Sequence, residues 1–292
     1  MANAIETAKS YVPLLDEVYA LAVLTSDLDG APELVQQGAN ANELIIPKMA
    51  MQGLADYSRN SGYVKGDVTM TNETVKCNFD RGRMFTIDTM DDLETAGLAF
   101  GRLAGEFIRT KVAPELDAFR FASYSAISGV GKREETLADG SAVIAALRAG
   151  ITAMDEAEVP ETDRFLYITP TLHGMVSDLD TTKSREVLNG FSKVVKVPQS
   201  RFYTAIDQLS GGSSEEAGGY KKAASAADLN FMIVHKPAVI QFHKHAAPKI
   251  ITPEANQEGD AYKYGYRLVS IADGYENKAA GIYVNHKPAA GG

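Results

Sequence analysis

At 292 residues, 45% apolar and 23% charged, the chain is long enough for one large domain or two ordinary ones around a sizeable core. A formal net charge of −9 with no basic cluster argues against a tight nucleic-acid clamp, and no apolar run reaches the length of a membrane span. The lone cysteine, Cys77, excludes an internal disulfide and fits a reducing cytosol, and Met1-Ala-Asn-Ala-Ile-Glu6 lacks the basic-then-apolar pattern of a secretory signal.

Residues 1–40 read as an arm. Ala2–Leu24 is helix-prone and interrupted by Pro13; Leu14, Leu15, Val18, Tyr19, Leu21 and Val23 supply an apolar surface that needs something to cover, such as another subunit. Asn42–Ala50 is a β-branched strand, and Pro47 removes one ladder donor, so it is an edge strand or ends there. The connection Gln52–Thr74 holds Gly53, Gly62 and Gly66 with Asp56, Arg59, Lys65 and Asp67, too polar to fold on a core of its own. Two readings stay open: a mobile surface loop, or an extended ribbon, which the alternation over Val64–Met70 suggests. The return strand Val75–Asp88 is expected to break at Gly82 in a turn or bulge. Arg81 and Arg83 beside it suit a phosphate, but ion pairs with Asp80 and Asp88 are the simpler expectation. Cys77 reads as a small packed residue rather than a nucleophile.

A long helix follows over Asp91–Ala126, opened by Asp91 and Asp92. Leu93, Ala96, Phe100, Leu103, Phe107, Val112, Leu116 and Phe119 form one apolar stripe, with Gly97, Gly101 and Gly105 on an adjacent face. Pro114 predicts a kink near Arg109–Lys111. At about 1.5 Å per residue the helix approaches 50 Å, the length of a spine rather than of one bundle member. A two-stranded arm beside such a spine is a device for reaching a neighbouring copy.

Beyond the spine, Ser128–Gly140 reads as a linker; its Gly129-Val-Gly131-Lys132 lacks the spacing of a phosphate loop. Helices are expected at Ser141–Ala157, capped by Ser141, at Pro170–Asp178 and at Lys183–Gly190. Strands are expected at Arg164–Thr169, Lys193–Val197, Arg201–Ala205, Asn230–Val234, Ala238–Ala246, Lys249–Pro253, Ala261–Ile271 and Lys278–Asn285. Gly211–Gly219 is a flexible loop by composition. This mixed order is α+β.

Catalytic chemistry is not legible. His243 and His245 flank Lys244 on a strand, a spacing that puts both imidazoles on one face, but no third metal ligand is obvious. No nucleophile-elbow pattern occurs, and the pair Glu215-Glu216 lies in a glycine loop too mobile to position a proton.

Several moderate motifs in order carry a resemblance over nearly the whole chain. They are the apolar N-terminal arm, the strand and long hairpin, Asp80-Arg81-Gly82-Arg83-Met84-Phe85, and the spine running Phe107-Ile-Arg-Thr-Lys-Val-Ala-Pro114-Glu-Leu-Asp-Ala-Phe119-Arg. Downstream stand Arg201-Phe-Tyr-Thr204, Asn230-Phe-Met-Ile-Val234, Tyr275-Glu-Asn-Lys278 and Gly281-Ile-Tyr283. Together they resemble the major capsid proteins of tailed bacteriophages and prophages of the Hong Kong 97 type. The resemblance implies residues 1–40 as N-arm, 41–90 as E-loop region, 91–139 as peripheral domain with the spine helix and 140–228 as axial domain. Residues 229–292 would return through the peripheral domain and finish in the axial sheet.

It further implies a structural protein without catalytic activity, metal or cofactor, whose hexamers and pentamers close an icosahedral shell around double-stranded DNA. The E-loop, with its tip near Tyr57–Asp67, would lie on a neighbour, where Tyr57, Arg59, Tyr63, Lys65 and Asp67 offer aromatic anchors and charge. Leu14, Leu15, Val18 and Tyr19 would cover an adjacent spine, whose own marks are Phe100, Leu103, Phe107 and Pro114. Some relatives carry a scaffolding extension that is not read in this sequence, so any scaffold is expected to be a separate protein or unnecessary; the resemblance leaves room for a separate scaffolding protein, a portal and a decoration protein as further partners. DNA contact would be weak and non-specific, no membrane is involved, and assembly in the bacterial host cytoplasm would end in the virion. Some relatives cross-link lysine to asparagine; Lys65 is suitably placed, but no partner asparagine is identifiable, and no cross-link is predicted. The alternatives are an encapsulin-type nanocompartment with the same fold and, from another class, a soluble α+β enzyme.

Overall fold

The computed structural model describes residues 23–30, 36–37, 43–60, 62–89, 98–179 and 182–289. Leu14, Leu15, Val18 and Tyr19 of the arm, and Asp91, Asp92, Leu93, Ala96 and Gly97 of the expected helix start, lie outside them.

The arm sheet has the order β1-β2-β3, built from β1 (Gln36–Gln37), β2 (Glu43–Met51) and β3 (Val68–Lys76). β2 and β3 pair antiparallel from Glu43 opposite Lys76 to Met51 opposite Val68. Pro47 faces Asn72 on β3, while β1 reaches only Leu44 and Ile45, so the proline falls where β2 has lost its second described neighbour.

The expected single return strand is two. β3 ends at Lys76 and β4 (Phe79–Asp88) joins a different sheet, so the break lies at Cys77-Asn78 and not at Gly82. Gly82 sits in an uninterrupted register opposite Arg267, and a Cβ there would meet the Tyr266 carbonyl at 2.8 Å. The glycine serves close strand approach, not a turn.

The spine continues from α1 (Leu98–Phe107) through a π turn (Ile108–Val112) into α2 (Ala113–Ala126). The interruption stands at the predicted place but takes the form of a widened turn. The Ala113 amide donates five residues back, to the Ile108 carbonyl, and Pro114, which has no donor, stands where the α-helix resumes. The spine crosses the sheet β11-β12-β4, formed by β11 (Val239–Ile251), β12 (Ala261–Gly274) and β4. Phe79, Ile108, Leu116, Tyr264, Tyr266 and Leu268 make the core between them.

The other large sheet has the order β5-β13-β10-β6-β7. Its members are β5 (Gly131–Glu134), β6 (Arg164–Ile168), β7 (Lys193–Lys196), β10 (Leu229–His235) and β13 (Ile282–His286). All seven residues of β10 are buried, as expected of a central strand covered on both faces. Helices α3 (Gly140–Glu156), α4 (Pro170–Asp178) and α5 (Thr182–Asn189) cover one face through Leu147, Leu172, Val176 and Val187. Phe121 and Tyr124 of α2 pack against Tyr167, Met232 and Val234 on the other. Phe119 touches the cores of both sheets, so the spine ties them together.

Four expectations are corrected. The linker at 128–140 contains β5, which pairs parallel to β13. Asp139, not Ser141, caps α3, its carboxylate accepting from the Ala142 amide at 2.8 Å. Arg201–Ala205 is not a strand: a 3-10 turn at Gln199–Arg201 and a single bridge from Tyr203 to Asp228 precede the small hairpin of β8 (Ile206–Gln208) and β9 (Tyr220–Lys222). The register of β11 slips at Lys244, so His243 faces Ser270 and His245 faces Val269, adjacent residues on opposite sides of β12. That bulge separates the two imidazoles.

Candidate assembly interface

The hairpin of β2 and β3 is built to be covered. Its side chains described from Met49 to Thr71 are exposed, Gly62 alone being half-buried. Of the ten large hydrophobic residues exposed among the described ones, eight lie here: Met49, Met51, Leu54, Tyr57, Tyr63, Val64, Val68 and Met70. On a free monomer such a concentration marks a binding surface. The tip is pre-shaped. Ser58 and Gly62 exchange backbone hydrogen bonds (3.3 and 2.8 Å), Gly62 holds φ at +78°, and the Ser58 hydroxyl accepts from the Asn60 amide. Tyr57 and Tyr63 flank that bridge, their rings edge to face at 4.9 Å. Arg59, Lys65 and Asp67 are exposed around them, and the Asp67 amide donates to the Gln52 side chain across the loop.

The root of the hairpin is clamped. The Asn78 side chain donates to the Ala272 carbonyl (2.7 Å) and accepts from the Ala272 amide (3.1 Å), taking the place of a strand neighbour where the backbone changes sheets. Cys77 packs beside Val75, Ile240 and Ile271, and burial pushes its thiol up, so the expected role as a packed residue holds.

A buried polar network holds residues 23–30 where the N-terminal segment meets the body. Asp117 accepts from the amides of Leu24 (3.1 Å) and Thr25 (3.2 Å), from the Thr25 hydroxyl (2.9 Å) and from Arg201 (3.2 Å). Arg120, with no exposed side-chain surface, reaches the Thr25 hydroxyl (2.7 Å), Asp29 (3.3 Å) and His243 Nε2 (2.9 Å). Gln241 donates to the Thr25 carbonyl and to Asp29, both at 2.7 Å, and accepts from the Tyr124 hydroxyl. Burial pushes the Asp117 carboxyl up against the pull of these donors. Burial and the adjacent Arg120 hold His243 down to about 4, so its ring stays neutral and accepts from the guanidinium.

Arg81 and Arg83 do not take the expected partners. Arg81 pairs with Glu115 of the spine (2.8 Å) and donates to the Leu209 and Gly219 carbonyls. Arg83 donates to the carbonyls of Glu216 and Ala217. Asp80 pairs instead with Arg267 through both carboxylate oxygens (2.8 and 2.6 Å). The loop after β8 is therefore gripped at both ends, and Glu215 closes it further by accepting from the Ser210 amide and hydroxyl. A cleft of about 1010 Å³ opens between this loop, β4 and the spine, and its two arginines are engaged with backbone carbonyls.

Of the spine residues, Phe107 stacks edge to face on Phe85 at 4.8 Å, Leu103 is half-buried beside it, and Pro114 follows the π turn. Phe100 lies in α1, but its side chain is outside the described ones. Sequence reasoning singled out the exposed tip residues and missed Asn78, Asp117, Arg120, Arg201 and Gln241. A buried charge far from its partners in sequence leaves no local pattern. Among the described residues no group of three or more histidine, cysteine or acidic side chains is placed to hold a metal.

No family model matches the chain, and no curated protein does. Solved structures match across most of its length. A structure from Gordonia phage Cozz superposes with a TM-score of 0.60 at 12% identity, covering 92% of this chain and 87% of the other. The capsid structure of Cyanophage P-SCSP1u gives 0.57 at 11%, covering 87% and 86%. A virus-like particle from Pyrococcus furiosus gives 0.54 at 9%, covering 93% and 97%. The fold of this chain is thus the phage-capsid fold, an α+β architecture with a projecting hairpin and a spine helix.

Proposed function

We propose that the chain is the major capsid protein of a tailed phage or prophage, assembling as hexamers and pentamers into an icosahedral shell around double-stranded DNA. The observation that carries the reading is the hairpin. In a chain with the phage-capsid fold, it concentrates exposed apolar side chains on the outer half of an element that meets the described core at its root, through Val75. The hairpin acts as the E-loop. Tyr57 and Tyr63 dock on the next subunit as a rigid aromatic pair, with Arg59, Lys65 and Asp67 as a polar rim. The N-arm, through Leu14, Leu15, Val18 and Tyr19, covers a neighbouring spine. Residues 140–228 serve as the axial domain, which draws β5, β10 and β13 into its sheet. Each contact is modest, and closure of the shell supplies the avidity. The role is structural rather than enzymatic. Packaged DNA is held weakly by a shell of acidic subunits; a scaffolding protein, a portal and a decoration protein are the further partners, and assembly takes place in the host cytoplasm before the chain resides in the virion.

The Pyrococcus particle favours a second reading, a protein nanocompartment. Electron microscopy of the purified chain, with a co-expressed scaffolding protein where needed, is the test. Closed shells with packaged DNA support the capsid; closed shells with a protein cargo support the compartment. Deleting Tyr57–Asp67 is expected to leave a folded, soluble subunit that closes no shells; shells at normal yield would overturn the E-loop assignment.

A further inference from the structure

The chain carries its charge unevenly. Its net charge is −9, yet cations without an acidic partner gather around the cleft between the loop after β8, β4 and the spine. Arg83 of β4, Lys111 of the π turn and Lys221 of β9 line it, and none of them forms an ion pair among the described residues. The acids on the same walls are already matched: Asp80 with Arg267, Glu106 with Arg109 and Glu115 with Arg81, which leaves Glu216 against three cations. Glu215, whose carboxyl Lys221 helps to lower, turns to the Ser210 amide and hydroxyl. Leu103 and Phe107 add an apolar wall. A concavity of this size, apolar in part and with a few convergent charges, has the form of a binding site, and π turns are frequent at such sites.

The complementary surface lies on the same chain. Asp155-Glu-Ala-Glu158-Val-Pro-Glu161-Thr-Asp163 runs from the last turn of α3 towards β6, and all of it but Val159 is exposed. Acids at the C-terminal end of a helix oppose its dipole, and Glu156, Glu158 and Glu161 form no ion pair among the described residues that would offset this. The turn is pre-shaped. Arg164, 2% exposed, donates to the Pro160 carbonyl (2.8 Å) and to the Val159 carbonyl and pairs with Asp155 (2.7 Å), while the Val159 amide donates to the Met154 carbonyl (3.0 Å). None of residues 155–163 lines the cleft of its own subunit.

We propose that the cleft receives the acidic turn 155–163 of a second copy of this chain, with Glu158 and Glu161 meeting Lys111, Lys221 and Arg83. The Arg83 fork keeps donors beyond the two given to the Glu216 and Ala217 carbonyls. The proposal rests on the shell reading for the presence of that copy. A second copy is the occupant because each subunit carries both halves, the cationic cleft and the acidic turn, on different surfaces. Such a pair joins copies head to tail and repeats from subunit to subunit until a ring closes. Charges at so open a contact set register and speed encounter more than they tighten binding.

A charge swap tests it. Glu158→Lys with Glu161→Lys reverses the turn, and Lys111→Glu with Lys221→Glu reverses the cleft. All four side chains are exposed, so the Tm of the free subunit is expected to hold in each variant. Each reversal alone is expected to raise the protein concentration at which particles form by about tenfold or more, read by light scattering, and the combined variant to return it to within about twofold of wild type. A combined variant no better than the single reversals overturns the proposal, as do reversals that assemble like wild type. In wild-type particles a water-soluble carbodiimide is expected to join Lys111 or Lys221 to Glu156, Glu158 or Glu161 of another copy, a cross-link absent from the free subunit. If a reversal lowers the Tm, that cross-link decides alone. Coupling of the two lysines only to acids of another segment, or of a scaffolding protein, gives the cleft to that occupant and overturns the proposal, as does no coupling. Normal wild-type shells without the cross-link sink this proposal alone; failure of the wild-type chain to form any closed particle with its scaffold is a failure of the shell reading, and the proposal falls with it.

Discussion

Arg120 and Asp117 show how much of this subunit depends on single buried charges. Each is fully buried on the spine, and each is held by groups from two other segments: residues 23–30, and either β11 or the turn at Gln199–Arg201. Asp117→Ala would leave Arg120 and Arg201 facing a hole where a carboxylate stood. A loss of about 3–5 kcal/mol is expected, read as a lower denaturant midpoint. His243 adds a pH dependence. Its folded value of about 4 lies below that of a free imidazole, so between pH 6.5 and 4 the unfolded chain binds a proton that the folded chain refuses. This contribution is complete above pH 6.5 and is lost as pH falls towards 4, by up to about 3 kcal/mol. Asp117 and Glu115, pushed up by burial, act in the opposite sense. The difference between wild type and His243→Gln, which keeps an acceptor for Arg120 but does not titrate, isolates the histidine. The Tm of the variant is expected to fall less between pH 7 and 4.

At the scale of the element, two strands and a helix carry the surface proposed for assembly, and each has a device at its weak point. The polypeptide leaves the arm sheet at Cys77-Asn78, and Asn78 alone continues the hydrogen bonding there with its side chain. Asn78→Ala is expected to cost about 1–3 kcal/mol, because the Ala272 amide and carbonyl lose their partner, and to raise hydrogen exchange at the hairpin root before that of the β4–β12 ladder. Gly82→Val would drive side-chain atoms into the Tyr266 carbonyl; it should lower the Tm and leave the tip intact. In the spine, the π turn lets the helix run past Pro114 without the clash a proline ring makes with the carbonyl four residues back. The predicted position was right because proline acts locally. The strand break was missed because the change of sheet is set by where β12 lies, nearly two hundred residues away.

For the whole molecule, the relevant contrast is between a body packed around the cores of two sheets and a hairpin whose outer half covers none among the described residues. The spine joins the cores through Phe119, and the hairpin meets the body at its root, where Val75 packs on Ile240 and Ile271. Tyr63, 87% exposed, contributes little to the fold of the free subunit. Tyr63→Ala is therefore expected to leave its Tm unchanged while raising the protein concentration at which particles form, as followed by light scattering; a lower Tm with unchanged assembly would remove Tyr63 from the interface.

Local chemistry was enough to determine the alternating strands, the amphipathic spine with its interruption at Pro114, the α+β order and the polar, apolar-dotted hairpin that has no core of its own. These depend on side-chain period, on proline and on composition within a few turns of chain. Tertiary structure alone decided that β5, β10 and β13 share a sheet with β6, that Arg81 and Arg83 grip the loop after β8, that a bulge parts His243 from His245, and that Asp117 and Arg120 hold residues 23–30. Each of these depends on which distant segment arrives opposite, and burial then selects the pairing, because an unsatisfied charge or amide inside the core costs more than any local preference supplies.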